Sequence, residues 1–315
     1  MRIIHYPSLD EKQNTQNLAV ALGYFDGVHR GHRALISRLI EVARDRQLTP
    51  CIFTFSNPPS KTKNTQTTLY NIEGKIEIFA SLGIEAVILA DFDSVSNLDA
   101  KSFVKDVLID SLGARLAICG YNFRFGRGAH ASAEDMVRLM ESHSCGAEIL
   151  DEQKVEGISV SATEIRNLLL AGNAEEAAKL LGAPYFISGT VERGLGLGAA
   201  YGFPTVNMPI REDSPLLPGV YRTAVRVGDT LYTGVTNVGS CPTVKVRAIH
   251  AETMISDFSG DLYGKKIYVY LLGYIRKEKR FDSLEELREQ IYKDKKIAET
   301  ENGDLKWLEI GLSSQ

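Results

Sequence analysis

A buried strand, a glycine-rich turn and the start of a helix follow one another between Leu18 and His32. Leu18 to Leu22 is a continuous apolar run, which is typical of a strand buried on both faces of a sheet. From Arg33 onward, apolar residues recur at intervals of three and four, which indicates an amphipathic helix. A helix that begins at the carboxyl end of such a strand presents free backbone N–H groups to a phosphate. The stretch therefore predicts an α/β fold with an anion-binding loop.

The turn itself carries candidate binding and catalytic residues. Glycines let a backbone approach a ligand closely, and two histidines three residues apart can face one phosphate at the helix entrance. These candidates are Gly23, Phe25, Asp26, Gly27, His29, Gly31 and His32. Two alternatives remain open on these residues alone. The turn could bind nothing, or the histidine pair and Asp26 could hold a metal ion, which would need a further ligand.

Strand-like and helix-like segments alternate after this turn, which predicts a parallel sheet with right-handed crossovers. The predicted strands are Thr49–Phe55, Glu85–Ala90, Ala114–Gly120 and Ala147–Leu150, and the predicted helices are Glu73–Leu82, Asp99–Leu112 and Ser132–Ser144. The loop after Gly120 lies at the carboxyl edge of this sheet. It contributes four candidate nucleotide-binding residues, Asn122, Phe123, Arg124 and Phe125.

A second candidate phosphate cradle lies where a helix is predicted to begin at Ser161 or Ala162. Ser161, Thr163 and Arg166 place two hydroxyls and a guanidinium beside the free N–H groups of that helix end. A capping serine without any ligand is the alternative on spacing alone. A short helix, Glu175–Leu181, follows, and Gly182 and Pro184 mark the predicted boundary between domains 1–183 and 184–315.

From Tyr185 the apolar period changes to two, which predicts a small antiparallel barrel followed by a helix from about Asp282 to Glu299. A glycine-rich loop precedes one of its strands and could wrap phosphates. Its glycines are Gly194, Gly196, Gly198 and Gly202. Thr205 and Asn207 follow on alternate positions of an extended segment, so they share one face. Oxygen ligands beside phosphates suit Mg²⁺.

Charge and composition exclude other classes of protein. The net charge of −4 and the isoelectric point near 5.9 argue against a general nucleic-acid binder. No apolar run approaches the ~18 residues of a membrane span, and the first residues lack the apolar core of a signal peptide. The four cysteines are scattered and predict no disulfide framework. We therefore expect a cytoplasmic protein without nucleic-acid or membrane partners, and the oligomeric state stays open.

The motifs of both halves together resemble the bacterial bifunctional riboflavin kinase/FAD synthetase family. The first turn matches the family signature Gly-x-Phe-Asp-Gly-x-His-x-Gly-His, and the later candidates match Gly-x-Asn/Asp-Phe-x-Phe-Gly and Ile/Val-Ser-Ser-Thr-x-Ile-Arg. The loop that ends at Asn207 resembles the riboflavin-kinase signature Gly-Arg-x-Leu-Gly-Phe-Pro-Thr-Ala-Asn. Glu252 falls at the family's catalytic carboxylate, with a solvated strand residue as its alternative. The resemblance covers almost the whole chain, in the family's order.

The chain departs from the family pattern at several positions. Pro58 stands at the histidine of Thr-Phe-x-Pro-His-Pro, Ala162 replaces a serine, and Ala199 and Tyr201 replace the arginine and leucine of the kinase loop. The departures at Pro58, Ala162 and Ala199 touch both halves. These departures leave open the alternative that the enzyme has retained only one of the two activities.

The resemblance implies a Rossmann-like nucleotidyltransferase domain followed by a small β-barrel riboflavin kinase domain. The kinase would transfer the γ-phosphoryl group of ATP to the 5′-hydroxyl of riboflavin, with Glu252 as general base and Mg²⁺ on Thr205 and Asn207. The transferase would join AMP from a second ATP to FMN, giving FAD and pyrophosphate, with His29 and His32 stabilising charge.

Two rival classes differ from this assignment. One is a catalytically inactive flavin-binding or regulatory protein, which the presence of the five candidate catalytic and magnesium-binding residues disfavours. The other is a nicotinamide-dependent dehydrogenase. It is disfavoured because the first turn has histidines where Gly-x-Gly-x-x-Gly needs glycines.

Overall fold

The computed structural model describes residues 1–8, 16–56, 67–194, 202–240 and 249–300. The chain forms two compact units. The first comprises Met1–Gln66 and Tyr70–Ser161, and the second comprises Thr67–Leu69 and Ala162–Gln315. The two helices that follow Ser161 thus group with the second unit. The predicted domain boundary between residues 183 and 184 stays a prediction.

The first unit is built on a six-stranded sheet in which every pair of neighbours is parallel. Its strands lie in the order β1-β4-β3-β2-β5-β8. Two short hairpins, β6–β7 and β9–β10, lie outside it. Among the described residues of this unit, the strands are β1 Arg2–Tyr6, β2 Leu18–Leu22, β3 Thr49–Phe55, β4 Ala86–Ala90, β5 Ala114–Gly120, β6 Arg124–Phe125, β7 Ala131–Ser132, β8 Gly146–Leu150, β9 Lys154–Val155 and β10 Ile158–Ser159.

The helices of the first unit alternate with these strands, as the parallel arrangement requires. They are α1 Arg30–Asp45, α2 Ile72–Ser81, α3 Phe92–Val95, α4 Ala100–Ser102, which is continued by a π-helical segment Phe103–Ser111, and α5 Ala133–Ser142. The sequence pattern placed the start of α1 at Arg33, three residues too late. The helix begins earlier because His29 caps it: the His29 imidazole accepts a hydrogen bond from the backbone N–H of His32.

The sheet order places a topological switch point between β2 and β5. From β2, the chain proceeds through β3 and β4 toward one edge, whereas β5 and β8 extend toward the other edge. Ligands of open α/β sheets bind in the crevice outside the carboxyl ends of the strands at such a point. The histidine turn follows β2 and the Asn122–Phe125 loop follows β5, so both candidate loops border this crevice.

The core of the first unit lies around the central strands. All five residues of β2 and all five of β4 are buried, which agrees with the apolar runs in the sequence. Cys51 and Cys119 are buried in β3 and β5, and neither forms a disulfide. Because these strands are buried on both faces of the sheet, helices must cover both faces, and the helical crossover connections do so.

The second unit contains the predicted antiparallel barrel. Two helices, α6 Ala162–Leu170 and α7 Ala174–Leu181, precede it, and α8 Leu284–Thr300 follows it. The strands lie in the order β11-β16-β13-β14-β15-β12, and a bridge between Glu192 and Asn207 brings the chain after the first strand to the last one. Where the structure describes this unit, its strands are β11 Phe186–Thr190, β12 Thr205–Ile210, β13 Gly219–Val227, β14 Thr230–Ser240, β15 Ile249–Ile255 and β16 Lys266–Arg276.

Two polar clusters are buried in the second unit. The hydroxyl of Thr236 is 3.0 Å from the hydroxyls of both Thr223 and Thr253, which forms a ladder across β13, β14 and β15. At the other cluster, Arg276 of β16 makes a forked contact with the carboxylate of Asp294, with Nη2–Oδ2 at 2.7 Å. Asp294 is only 1% exposed, so this ion pair ties α8 to the barrel through a desolvated carboxylate.

Candidate functional sites

The histidine turn is held in an uncommon backbone conformation. Phe25 and Val28 have φ of 55° and 42°, in the left-handed region that non-glycine residues rarely adopt, and Gly27 has φ of 78°. Such residues cost about 1–2 kcal/mol each and persist only where their surroundings fix them. The Phe25 ring is fixed by packing against Phe79 at 5.6 Å and His32 at 5.1 Å between centroids. The turn is therefore specified by packing beneath it.

The two predicted catalytic histidines lie together at the N-terminus of α1. Their rings stack with centroids 3.7 Å apart and planes inclined by 19°. Gly31 permits this arrangement, because a β-carbon there would lie 3.2 Å from Cε1 of His29. Nδ1 of His32 is buried and has no hydrogen-bond partner among the described residues. The predicted meeting of the histidines at the helix entrance is thus present.

Burial keeps both imidazoles neutral. Desolvation lowers the pKa of His29 to about 4. The pKa of His32 lies well below its ordinary value, because of burial first, then because protonating His32 would oppose protonation of the adjacent His29, and because the Lys75 ammonium lies nearby. Neutral rings at a helix N-terminus can donate a hydrogen bond to a phosphate oxygen without a proton having to be taken up first. Asp26 is buried in the same turn.

The other predicted residues of the first unit occupy the loop after β5. Phe123 and Phe125 stack at 5.7 Å, and Phe125 is buried against Phe103. Asn122 and Arg124 are exposed at the same loop. The two aromatic residues are thus partly structural, and the two polar side chains are available to a ligand at the crevice.

The predicted phosphate cradle at α6 is divided between the units: Ser161 ends the first, whereas Thr163 and Arg166 belong to the second. Thr163 is exposed, and the buried Arg166 donates from Nε to the Thr67 carbonyl at 2.5 Å. Gly196 and Gly198, together with the departures at Pro58, Ala199 and Tyr201, lie outside the described residues. The binding roles of all these positions stay predictions.

The barrel brings its predicted catalytic and magnesium-binding residues together on one face. Glu252 lies directly opposite Asn207 in the β12–β15 pair, and Thr205 donates from Oγ1 to Glu252 Oε1 at 2.7 Å. All three side chains are partly buried. Asn237 lies opposite Glu252 on the other side, in β14. A row of one carboxylate and three oxygen-bearing side chains therefore spans three strands.

The glycines of the kinase loop that the structure describes agree with a close approach of backbone to this row. A β-carbon on Gly194 would overlap the amide group of Asn207. Gly202 has φ of 87°, in the region that glycine adopts readily. Oδ1 of Asn237 is buried and accepts no hydrogen bond from the described residues, while Nδ2 donates to Glu278 at 3.2 Å. The face thus offers acceptors for a ligand.

Sequence reasoning missed the support beneath the histidine turn. Lys75 and Thr54 both donate hydrogen bonds to the backbone carbonyl of Tyr24, each at 3.0 Å. One signal was present in the sequence: Lys75 lies three and four residues before Ile78 and Phe79, on the apolar face of α2, where a lysine is out of place.

Two negative findings apply to the described ranges. No group of three His, Cys, Asp or Glu side chains there could hold a metal ion, so the histidine-pair metal site gains no support. Within the same ranges, no helix combines the length and the apolar character that crossing a membrane requires.

A parallel sheet with a histidine turn at its switch point, followed by a barrel with a carboxylate beside oxygen-bearing side chains, is typical of a nucleotide-dependent transferase. Residues 11–164 match the FAD synthetase family, and residues 181–301 match the riboflavin kinase family. The chain belongs to the family of bifunctional riboflavin kinase/FMN adenylyltransferases, as the sequence motifs predicted.

Relatives match along nearly their whole length. The bifunctional riboflavin kinase/FMN adenylyltransferase of Escherichia coli strain K12 is 35% identical over 291 residues, which are 90% of this chain and 92% of the relative. The protein of the same name from Bacillus subtilis strain 168 is 32% identical, covering 95% and 97%. A crystal structure titled macrolide-efflux protein, from Streptococcus pneumoniae, has a TM-score of 0.82 at 27% identity, covering 95% of this chain and 99% of that one. Its fold is therefore shared along both units.

Proposed function

We propose that the chain makes FMN from riboflavin and FAD from FMN, each with ATP, and that the two reactions use the two sites described above. The relatives are named for both activities, and both family domains are present. The observation that carries the residue assignment is the contact between Thr205 and Glu252 beside Asn207, because it joins a carboxylate to two oxygen ligands on one strand face.

In the barrel, Glu252 acts as the general base. It accepts the proton of the riboflavin 5′-hydroxyl as that oxygen attacks the γ-phosphorus of ATP, and such a base contributes roughly 10²–10⁴-fold. Thr205 orients the carboxylate through its 2.7 Å hydrogen bond. The hydroxyl of Thr205 and the amide oxygen of Asn207 would hold Mg²⁺, a hard cation that prefers oxygen ligands. When bound, Mg²⁺ supplies neutralisation of the phosphate charge.

In the first unit, the attacking group is a phosphate of FMN, which is already ionised, so no general base is needed. Catalysis there is positioning and charge stabilisation. His29 and His32 donate to the α-phosphate at the N-terminus of α1 as the FMN oxygen attacks and pyrophosphate leaves. Ser161, Thr163 and Arg166 bind the departing pyrophosphate, and Asn122 and Arg124 border the nucleotide. The name macrolide-efflux protein has no counterpart in these two sites.

One experiment separates the alternatives. The purified chain is incubated with riboflavin, ATP and Mg²⁺, and in parallel with FMN, ATP and Mg²⁺, and the flavins are separated by chromatography. We expect FMN and FAD from the first mixture and FAD from the second, with loss of product when a chelator removes Mg²⁺. Product in one mixture only would leave an enzyme with a single activity. Flavin binding without any product would favour a regulatory protein.

A further inference from the structure

Lys75 is a buried lysine that the proposed mechanism does not use. Its side chain lies in α2, it is 3% exposed, and its Nζ donates to the Tyr24 carbonyl at 3.0 Å while lying 4.2 Å from the centre of the Tyr24 ring. Thr54 of β3 donates to the same carbonyl, also at 3.0 Å. Two elements far apart in the sequence therefore hold one backbone carbonyl.

This carbonyl belongs to the peptide that leads into the left-handed residue Phe25. Fixing the plane of that peptide fixes the direction in which the chain enters the turn, and hence where His29 and His32 lie. The helix that supplies Lys75 also supplies Phe79, whose ring packs edge-on against Phe25. Helix α2 thus contacts the turn in two ways: the Lys75 side chain binds the backbone of the turn, and the Phe79 ring packs against the Phe25 ring.

A charged group in this position is costly. Burial lowers the pKa of Lys75 to about 8, against the attraction of Asp26, so the ammonium is still the main form at neutral pH. A methionine would fill a similar volume without any desolvation cost. Packing alone therefore does not explain a lysine at this position. The need for a hydrogen-bond donor that reaches a backbone carbonyl beside an anion site does explain it.

We propose that Lys75 is a positioning residue of the adenylylation site, which holds the Gly23–His32 turn through the Tyr24 carbonyl so that the two histidines face the nucleotide. The inference rests on the proposed function of the first unit. Lys75 itself does not touch the reacting atoms. Its effect passes through the backbone of the turn and through the position of His32.

The first test measures the turn directly, without any activity. Amide hydrogen exchange is compared between the wild type, Lys75→Met and the matched control Lys101→Met, in which an exposed lysine of the same unit is replaced. We expect exchange in residues 23–32 to become roughly 10- to 100-fold faster in Lys75→Met, the range for losing a charged hydrogen bond. Unchanged exchange there would overturn the proposal, whatever the enzyme makes.

The second test measures FAD formation from FMN. Lys75→Met should lower kcat roughly 10- to 100-fold with KM values changed less than about threefold, because positioning acts on the transition state. In a background in which His29 and His32 are both alanine, the same substitution should cost less than about twofold, since its route is already lost. A full additional loss in that background, or a normal kcat in Lys75→Met, would contradict the proposal.

Two further measurements separate misfolding and failure of the proposed function. Riboflavin phosphorylation by the same variant should be unchanged, because that site lies in the other unit. If Lys75→Met does not fold, Thr54→Val removes the second donor to the same carbonyl and should give a smaller loss of the same pattern; normal kcat in Thr54→Val would then overturn the proposal. A wild type that makes no FAD from FMN would refute the proposed function, and hydrogen exchange would still decide whether Lys75 holds the turn.

Discussion

The two sites of this chain are built in opposite ways. The histidine site depends on the conformation of the backbone. It combines a strained turn, a helix N-terminus and two imidazole rings that burial keeps neutral. The carboxylate site is a property of strand register, because Glu252, Asn207 and Asn237 share a face only while three strands keep their alignment. The loop site therefore depends on the helix packed under the turn, whereas the strand site depends on the pairing of neighbouring strands.

The largest effect should come from the carboxylate of the barrel. Glu252→Gln keeps the shape of the side chain but removes the base, so FMN formation should fall roughly 10²–10⁴-fold. FAD formation from preformed FMN is the internal control and should be unchanged, because it takes place at the other site. An FMN rate within a few-fold of the wild type would remove Glu252 from the mechanism and make it a surface carboxylate of the barrel.

The histidines should give the converse pattern. His29→Ala and His32→Ala each remove a donor at developing charge, so FAD formation from FMN should fall by roughly 10²–10³-fold. Riboflavin phosphorylation, followed in the same preparations, should stay at its wild-type rate. Equal losses in both reactions would point to misfolding or to a shared site, and the comparison between two independent sites would fail.

A smaller effect is expected where one strand residue supports another. Thr205→Val removes the hydrogen bond to Glu252 and one proposed magnesium ligand, so FMN formation should fall roughly 10- to 100-fold. Thr205→Ser keeps the hydroxyl and should retain most of the rate. If valine and serine behave alike in steady-state kinetics, the 2.7 Å contact does not orient the base.

Acid should destabilise the histidine site. The unfolded chain protonates its histidines near pH 6.5, whereas the folded pKa of His29 is about 4 and that of His32 is also lowered. Between these values the unfolded state binds more protons, so the free energy of unfolding is highest above pH 6.5 and falls as the pH falls. We expect a loss on the order of 1–3 kcal/mol from His29 by pH 4.

Denaturant unfolding of the first unit, followed between pH 7.5 and 4, measures this dependence. His29→Gln should flatten it, while His143→Gln, at an exposed histidine of the same unit, should leave it unchanged. The same slope in all three proteins would mean that the imidazole of His29 is not desolvated in the folded state.

The smallest effect concerns a departure from the family pattern. Ala199 stands at the arginine of the kinase loop, and an arginine there could make a bidentate contact with a phosphate. We predict that Ala199→Arg lowers the KM for ATP several-fold with kcat nearly unchanged, the mark of added uniform binding. Steady-state kinetics at varied ATP check this. A gain that appears in kcat would show that the arginine acts on the transition state.

The elements that the sequence predicted best are those buried on both faces. The limits of β2, β3 and β5 agree with the prediction at both ends, because an apolar run bounded by polar residues or glycine has clear edges. Strand β1 was not predicted, since it lies at the edge of the sheet and only Ile4 is buried in it. The start of α1 was placed late because capping and helical residues there are histidines and a glycine, which carry no apolar period.

The residues of both sites could be named from the motifs, and so could the neighbours within one segment, but the contacts between distant segments could not. Glu252 is 47 residues from Thr205, and Lys75 is 51 from Tyr24, so neither contact follows from local spacing. The register of the barrel decides the first, and the docking of α2 under the turn decides the second. Long-range packing thus supplied what the pattern of single segments lacked.

The threonine ladder inside the barrel has a consequence for its assembly. If β14 slid by one residue, Thr236 would turn outward, and Thr223 and Thr253 would be left with unmade hydrogen bonds in a dry interior, at about 1–3 kcal/mol each. Thr236 and Thr253 directly neighbour Asn237 and Glu252 in the chain. The buried hydroxyls therefore favour the one register of β14 that also places Asn237 beside Glu252 on the outer face of the barrel, where a substrate would bind.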